Sequence, residues 1–185
     1  MHILPLFPQS LTAIGITSIG AQQLFMEHSE VREYHKSDPV FMERKPIARE
    51  YLLLQGVLHR FNMNPDGEQI TTGFYMAVDV VTPHFARTVN NRSIFSLQAL
   101  TDNTLIAEIP VDALDYLRST NQEFRDFGQR VLESELSAQL LNDVAFRSFP
   151  ARDRLLILRD TFPNIENLVP HYIIASYLGI TQVSF

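Results

Sequence analysis

Tyr51-Leu-Leu-Leu-Gln-Gly-Val-Leu-His-Arg-Phe-Asn-Met-Asn-Pro-Asp-Gly-Glu-Gln-Ile-Thr-Thr-Gly-Phe-Tyr75 packs strand-like runs and turn residues into one short stretch. Asn64-Pro65-Asp66-Gly67 is the sharpest turn: proline sets the first corner and glycine supplies a positive φ between two runs of β-type residues. Gly56, directly after Leu52-Leu53-Leu54-Gln55, reads as a second tight turn. The stretch therefore predicts three consecutive antiparallel strands, the last two joined as a hairpin.

The same grammar extends on both sides. Val31–Tyr34, Val40–Met42, Glu50–Leu54, Val57–Met63, Gln69–Tyr75, Ile94–Leu100 and Thr104–Ile109 are short, rich in β-branched and aromatic residues, and divided by turn formers. Strands so closely spaced predict an antiparallel sandwich or barrel. Before them, Pro5 and Pro8 suggest an irregular lead-in, and Thr17 can cap a helix through Ile19, Leu24 and Phe25 to about His28. Met76–Ser93 breaks the series. It has neither helical nor alternating periodicity and contains Pro83 and Asn90-Asn91, the pattern of an excursion that carries function or closes one end of the barrel.

After Ile109-Pro110 the period becomes helical. Val111–Arg118 predicts a short helix, and Ser119 or Asn121 can cap a longer one reaching Ala145 or Phe146. Along it Phe124, Phe127, Val131, Leu136, Leu140 and Val144 recur as a stripe, with Leu132 and Leu141 widening it. A helix of about 25 residues spans about 38 Å, more than a small barrel needs as cover, so the stripe either lies on its own domain or pairs with a second copy. Phe149-Pro150 stops it and starts a helix to about Thr161, and Phe162–Val169 reads as a loop. In Leu168–Phe185, Pro170 suits a first helical position, Ile173, Ile174, Tyr177 and Leu178 share helical spacing, Gly179 suits the left-handed residue past the end, and Thr181 can cap another helix. That is the outline of a helix-turn-helix.

Composition narrows the classes. Hydrophobic residues are 45% of the 185 and charged residues 19%, which supports an ordinary buried core. No apolar run approaches the length of a membrane span, and Met1–Phe7 lacks the positive start of an export signal, so a cytoplasmic location is expected. Without cysteine there is no thiolate chemistry, and the six histidines show no ligand spacing, which argues against a metal-dependent barrel enzyme or any resident cofactor. The formal charge of −6 excludes a broadly basic nucleic-acid coat. The end of the chain is its least acidic part, with Arg147, Arg152, Arg154 and Arg159 against Asp153, Asp160 and Glu166.

This order of parts resembles the Crp/Fnr superfamily of bacterial transcription regulators. Tyr51–Phe61 with the Asp66-Gly67 hairpin is similar to the family's cyclic-nucleotide-binding barrel. Phe149-Pro150-Ala-Arg-Asp-Arg154 and Val169–Thr181 are similar to its winged-helix domain. The overall shape is nearest the group common in Bacteroidetes-type bacteria. The resemblance implies an α+β chain: a barrel or jelly-roll domain over residues 1–118 with its N-terminal helix, a connecting and dimerisation helix over 119–146, and a partial helix-turn-helix domain over 147–185. By that likeness Phe124, Phe127, Val131, Leu136, Leu140 and Val144 form a homodimer interface, and Thr181, Gln182 and Ser184 open the recognition helix, where Gln can pair with adenine.

Members that bind cyclic AMP hold its phosphate with a Gly-Glu pair and an Arg-Ser/Thr-Ala sequence. Here Met76–Ile94 has no glycine and Asp79 as its one acid, leaving Arg87, Arg92 and Ser93 as candidates to meet an anion. A small-molecule effector other than cyclic AMP bound in the usual way is the expectation. The resemblance gives an operator DNA and RNA polymerase as partners. Phe185 falls within the start of the recognition helix, so these residues alone are expected to bind DNA poorly. The competing expectation is a ligand-binding or protein-interaction module in which the terminal helices serve only for packing.

Overall fold

The computed structural model describes residues 3–181. Two helices open the chain, α1 (Ile3–Ala13) and α2 (Ile19–His28), followed by strands β1 (Glu30–Tyr34), β2 (Pro39–Phe41), β3 (Arg49–Gln55), β4 (Val57–Met63), β5 (Gln69–Met76) and β6 (Asp79–Val80). A single helical turn, α3 (His84–Arg87), and a small hairpin, β7 (Thr88–Val89) and β8 (Arg92–Ser93), precede β9 (Ser96–Ala99) and β10 (Thr104–Pro110). The rest is helical: α4 (Val111–Thr120), α5 (Gln122–Ser148), α6 (Ala151–Thr161), α7 (Ile165–Leu168) and α8 (His171–Leu178).

The main strands form two four-stranded antiparallel sheets, in order β1-β10-β3-β6 and β2-β9-β4-β5. They face each other as a jelly-roll sandwich and do not close into one continuous barrel. Strand β3 explains the unbroken run Tyr51-Leu-Leu-Leu. Leu53 points between the sheets with Leu58, Leu97 and Ile106, while Leu52 and Leu54 point outward against α1, α2, α4 and the start of α5. A strand covered on both faces has no polar side to show. At the hairpin, Gly67 adopts φ +83° and its N–H donates to the Asn64 carbonyl at 3.0 Å. Gly56, at φ +99°, lies so close to Thr104 and Thr101 that a Cβ would meet their hydroxyls at 2.5 and 2.9 Å.

Three sequence expectations change. The lead-in is helical: Pro8 sits inside α1, and burial of Phe7 and Leu11, with Phe7 edge-on to Phe25 at 6.1 Å, outweighs the hydrogen bond that proline cannot make. The cap of α2 is Ser18 instead of Thr17, its hydroxyl accepting from the Ala21 N–H. The segment read as a loop before Val169 contains the one-turn helix α7, which buries Ile165. Met76–Ser93 also has more order than its period suggests. Asp79 and Val80 pair with β3, and Asn90 and Asn91, both at positive φ, form the corner of the β7–β8 hairpin.

Candidate functional site

Three places could carry function: the terminal helices, the face of α5, and the cavity between α5 and the sandwich. The terminal unit takes the shape its sequence suggests. Pro170 precedes α8, and Gly179 ends it in the left-handed conformation at φ +66°. Ile173, Ile174 and Leu178 are buried with Leu158, Ile165 and Val169. Arg154 on α6 donates to the Leu178 carbonyl at 2.6 Å, satisfying an end that the helix itself leaves open, and stacks over Phe146 at 4.9 Å. The cluster continues into the sandwich through Val57, Phe74 and Leu100. The Ser176 hydroxyl accepts from the Thr71 N–H at 3.0 Å and reaches the Gln69 carbonyl at 3.3 Å, covering the free edge of β5. Thr181 is exposed at the end of this unit. Gln182 and Ser184 lie outside the described residues.

The stripe on α5 divides in two. Asn121 caps the helix by accepting from the Glu123 N–H at 2.8 Å. Phe124 and Phe127 are buried in the core of their own chain, and Val131 packs against it. Beyond that point the same helix turns its apolar residues outward: Leu136, Leu140 and Leu141 are 60, 61 and 70% exposed, with Leu132 and Val144 beside them. A stripe of i, i+4 steps drifts around a helix of 3.6 residues per turn, so one sequence pattern serves two faces.

The three anion candidates of the excursion are scattered. Arg87 is fully buried, paired with Glu50 at 2.9 Å, donating to the Thr82 carbonyl at 2.6 Å and to the Arg49 carbonyl, and lying over the rings of Phe41 and Tyr51. The His84 N–H donates to the same Glu50 carboxylate. Arg87 thus pins the excursion to β3. Arg92 is exposed and donates to the Arg44 carbonyl at 2.9 Å, whereas Ser93 is buried and bonds the Phe95 carbonyl at 2.6 Å.

A cavity of about 400 Å³ lies where α5 crosses β4 and β5. Arg60, Asn62 and Thr72 come from the sheet, Thr82, Ala86, Ile94 and Phe95 from the excursion, and Leu132, Glu135, Leu136 and Gln139 from the helix. Glu135 joins the two sides: it accepts from Thr82 Oγ1 and from Gln139 Nε2, each at 2.9 Å, and stands 3.8 Å from Arg60. Tyr75 extends the chain by its hydroxyl contact with Thr82 at 2.8 Å. Nearby, burial pushes the Asp79 carboxyl up, the Met76 N–H opposes that shift, and Glu135 adds to it. Sequence reasoning passed over Arg60 and Glu135. Arg60 is a charge inside a strand of mostly buried residues, and Glu135 is an acid beside the apolar stripe of α5, so neither stands out by spacing. Among the described residues, no three His, Cys, Asp or Glu side chains are placed to hold a metal ion, and no helix is long and apolar enough to cross a membrane.

Solved structures share this arrangement of a jelly-roll sandwich, a long helix and a compact unit built on α6 to α8. FixK2 from Bradyrhizobium japonicum superposes with a TM-score of 0.70 at 17% identity, over 84% of this chain and 80% of that one. The c-di-GMP-responsive global regulator CLP of Xanthomonas campestris gives 0.67 at 18% identity, over 90% and 87%. No family model matches. Among curated proteins the chain is 25% identical over 101 residues to Electron transport regulator A of Shewanella oneidensis, and 26% identical over 103 residues to Regulatory protein HlyX of Actinobacillus pleuropneumoniae. These matches cover 55% and 56% of this chain but only 39% and 42% of those proteins, so the chain aligns with about two fifths of their length.

Proposed function

We propose that the protein is a DNA-binding transcription regulator of Crp/Fnr type, acting as a homodimer through the outward half of α5, with the sandwich as its effector-sensing part. The observation that carries this reading is the connection of the three parts. One helix is rooted in the sandwich core by Phe124 and Phe127, presents Leu132, Leu136, Leu140 and Val144 to a partner, and leads at its far end into the unit ended by Gly179. A change at the sandwich can thus alter how two terminal units are presented, provided an effector favours one arrangement. The domain division at 118 and 146 follows from this scheme, with Thr181, Gln182 and Ser184 opening the DNA-reading helix. A soluble, cytoplasmic protein without catalytic activity is the corresponding assignment, and RNA polymerase is a further partner on the same scheme.

Titration of labelled duplexes with the full-length protein tests the reading. Sequence-selective binding that weakens steeply with added salt is expected, because phosphate contacts release counterions. Equal affinity for all duplexes, or none at low salt, would refute it. The module without DNA function has no specific observation in its favour.

A further inference from the structure

We infer that His59 is a proton-operated latch: when its imidazole takes up a second proton, the unit of α6 to α8 lifts off the outer face of the sheet β2-β9-β4-β5. The inference concerns how two parts of the chain are held together and goes beyond the reading of the protein as a DNA-binding regulator.

Register puts His59 under that unit. Side chains alternate along a strand and antiparallel partners share a face, so Val57, His59 and Phe61 of β4 lie on one side of the sheet with Phe74 and Thr71 of β5. Val57 and Phe74 pack with Leu158, Ile173 and Leu178 of the terminal helices, and the Thr71 N–H donates to Ser176 Oγ on α8 at 3.0 Å. His59 stands among them, 1% exposed and stacked on Phe61 at 5.0 Å. Its own strand is paired on both sides, with β5 and with β9. The cover is held by side chains alone at this point: Ser176 on the edge of β5, and the rings of Phe162 and Tyr177 against Phe74. The cover is therefore the part that can open locally.

The hydrogen bonds of His59 leave no place for a second proton. The Gln98 amide donates to the Ser37 carbonyl at 2.7 Å, so Gln98 Oε1 accepts from His59 Nε2–H at 3.0 Å. Nδ1 is buried and has no hydrogen-bond partner among the described residues. A proton there makes a buried imidazolium, and the charges nearby are engaged elsewhere. Arg60, next on the strand, points to the opposite face, toward Glu135. On the terminal helices Arg154 bonds the Leu178 carbonyl, Arg159 pairs with Glu166, the exposed His171 lies in the field of Glu166, and Tyr177 rests on Phe74. On the β9 side Lys36 is exposed, Asp38 accepts from the His35 N–H, and Glu43 stands 3.5 Å from Arg44. Burial, opposed by the Gln98 bond, holds the imidazole below its ordinary value of 6.5. An uncovered imidazole takes up its proton near that value and the covered one only at lower pH. Docking is thus at full strength above about pH 6.5 and weakens as the pH falls below it.

The test is hydrogen exchange of the 185-residue chain, read by mass spectrometry at about pH 7.5 and about pH 5.5 and corrected for the intrinsic pH dependence of exchange. Amides of α6 to α8 should open up to about tenfold more often at the lower pH, while those of β3 and β10 stay protected. In His59→Gln, whose amide can still donate to Gln98, that rise should be absent. His59→Phe keeps the stack on Phe61, has no nitrogen to protonate, and should behave alike, so it decides the matter if the glutamine variant does not fold. The latch is overturned if the terminal helices exchange equally at both pH values in wild type, if the rise persists in the His59 variants, or if these helices open only together with β3 and β10. None of these readouts involves DNA, so failure of the latch leaves the regulator reading untouched, and a protein that ignores every duplex can still show it.

Discussion

Arg87 shows how a residue's type can mislead about its place. An arginine in an irregular excursion reads as a solvent-facing charge, yet this one is fully buried against Glu50, two aromatic rings and two backbone carbonyls. Removing one member of a buried pair leaves the other uncompensated, so Arg87→Gln should cost about 3–5 kcal/mol of unfolding free energy in urea titration. His59 is the second informative case. It is buried and stacked on Phe61 at 5.0 Å, with Nε2 at 3.0 Å from Gln98 Oε1. Gln98 donates its amide to the Ser37 carbonyl, so its oxygen must accept from His59 Nε2–H, and Nδ1 is left without a partner. Burial holds this imidazole below its ordinary value of 6.5. The unfolded chain therefore takes up a proton that the native state resists, and stability should fall as pH drops through about 6.5 and below. Unfolding free energies measured from pH 8 to pH 5 should show that slope, and His59→Met should flatten it.

At the scale of elements, periodicity was a good guide where one face decides the packing and a poor one where two compete. The strands β3, β4 and β5 were legible because Gly56 and Asn64-Pro65-Asp66-Gly67 mark their ends. Helix α1 was not, because Pro5 and Pro8 argue locally against helix while the burial of Phe7 and Leu11 is a tertiary effect. The α5 stripe was legible as apolar, but its division between core and surface depends on where the helix leaves the sandwich. That division makes a sharp expectation. Phe124→Ala should cost about 3–5 kcal/mol of stability, as for a deleted core ring. Leu136→Asp with Leu140→Asp should leave the fold intact by circular dichroism and convert a dimer to a monomer in light scattering. A monomeric wild type would remove α5 as the dimer element. The cavity was invisible in the sequence because Arg60, Gly73 and Glu135 meet only through a strand pairing and a helix crossing.

For the molecule as a whole, the terminal unit is not suspended on a free hinge. Phe74 of β5 meets Phe162 at 5.9 Å and Tyr177 at 5.3 Å, and together with Val57 and Leu100 it forms one cluster with α6, α7 and α8. Phe74→Ala should therefore loosen both partners: limited proteolysis should cut between 149 and 170 faster than in wild type, while the sandwich fragment survives. The most direct test of the regulator account is selection from a random duplex library with the full-length protein. The account predicts enrichment of an inverted repeat whose half-site centres lie about 10–10.5 base pairs apart, or a multiple of that, because two copies related by a twofold axis place their reading helices one turn apart. Enrichment of a single asymmetric site, or of nothing, would contradict it.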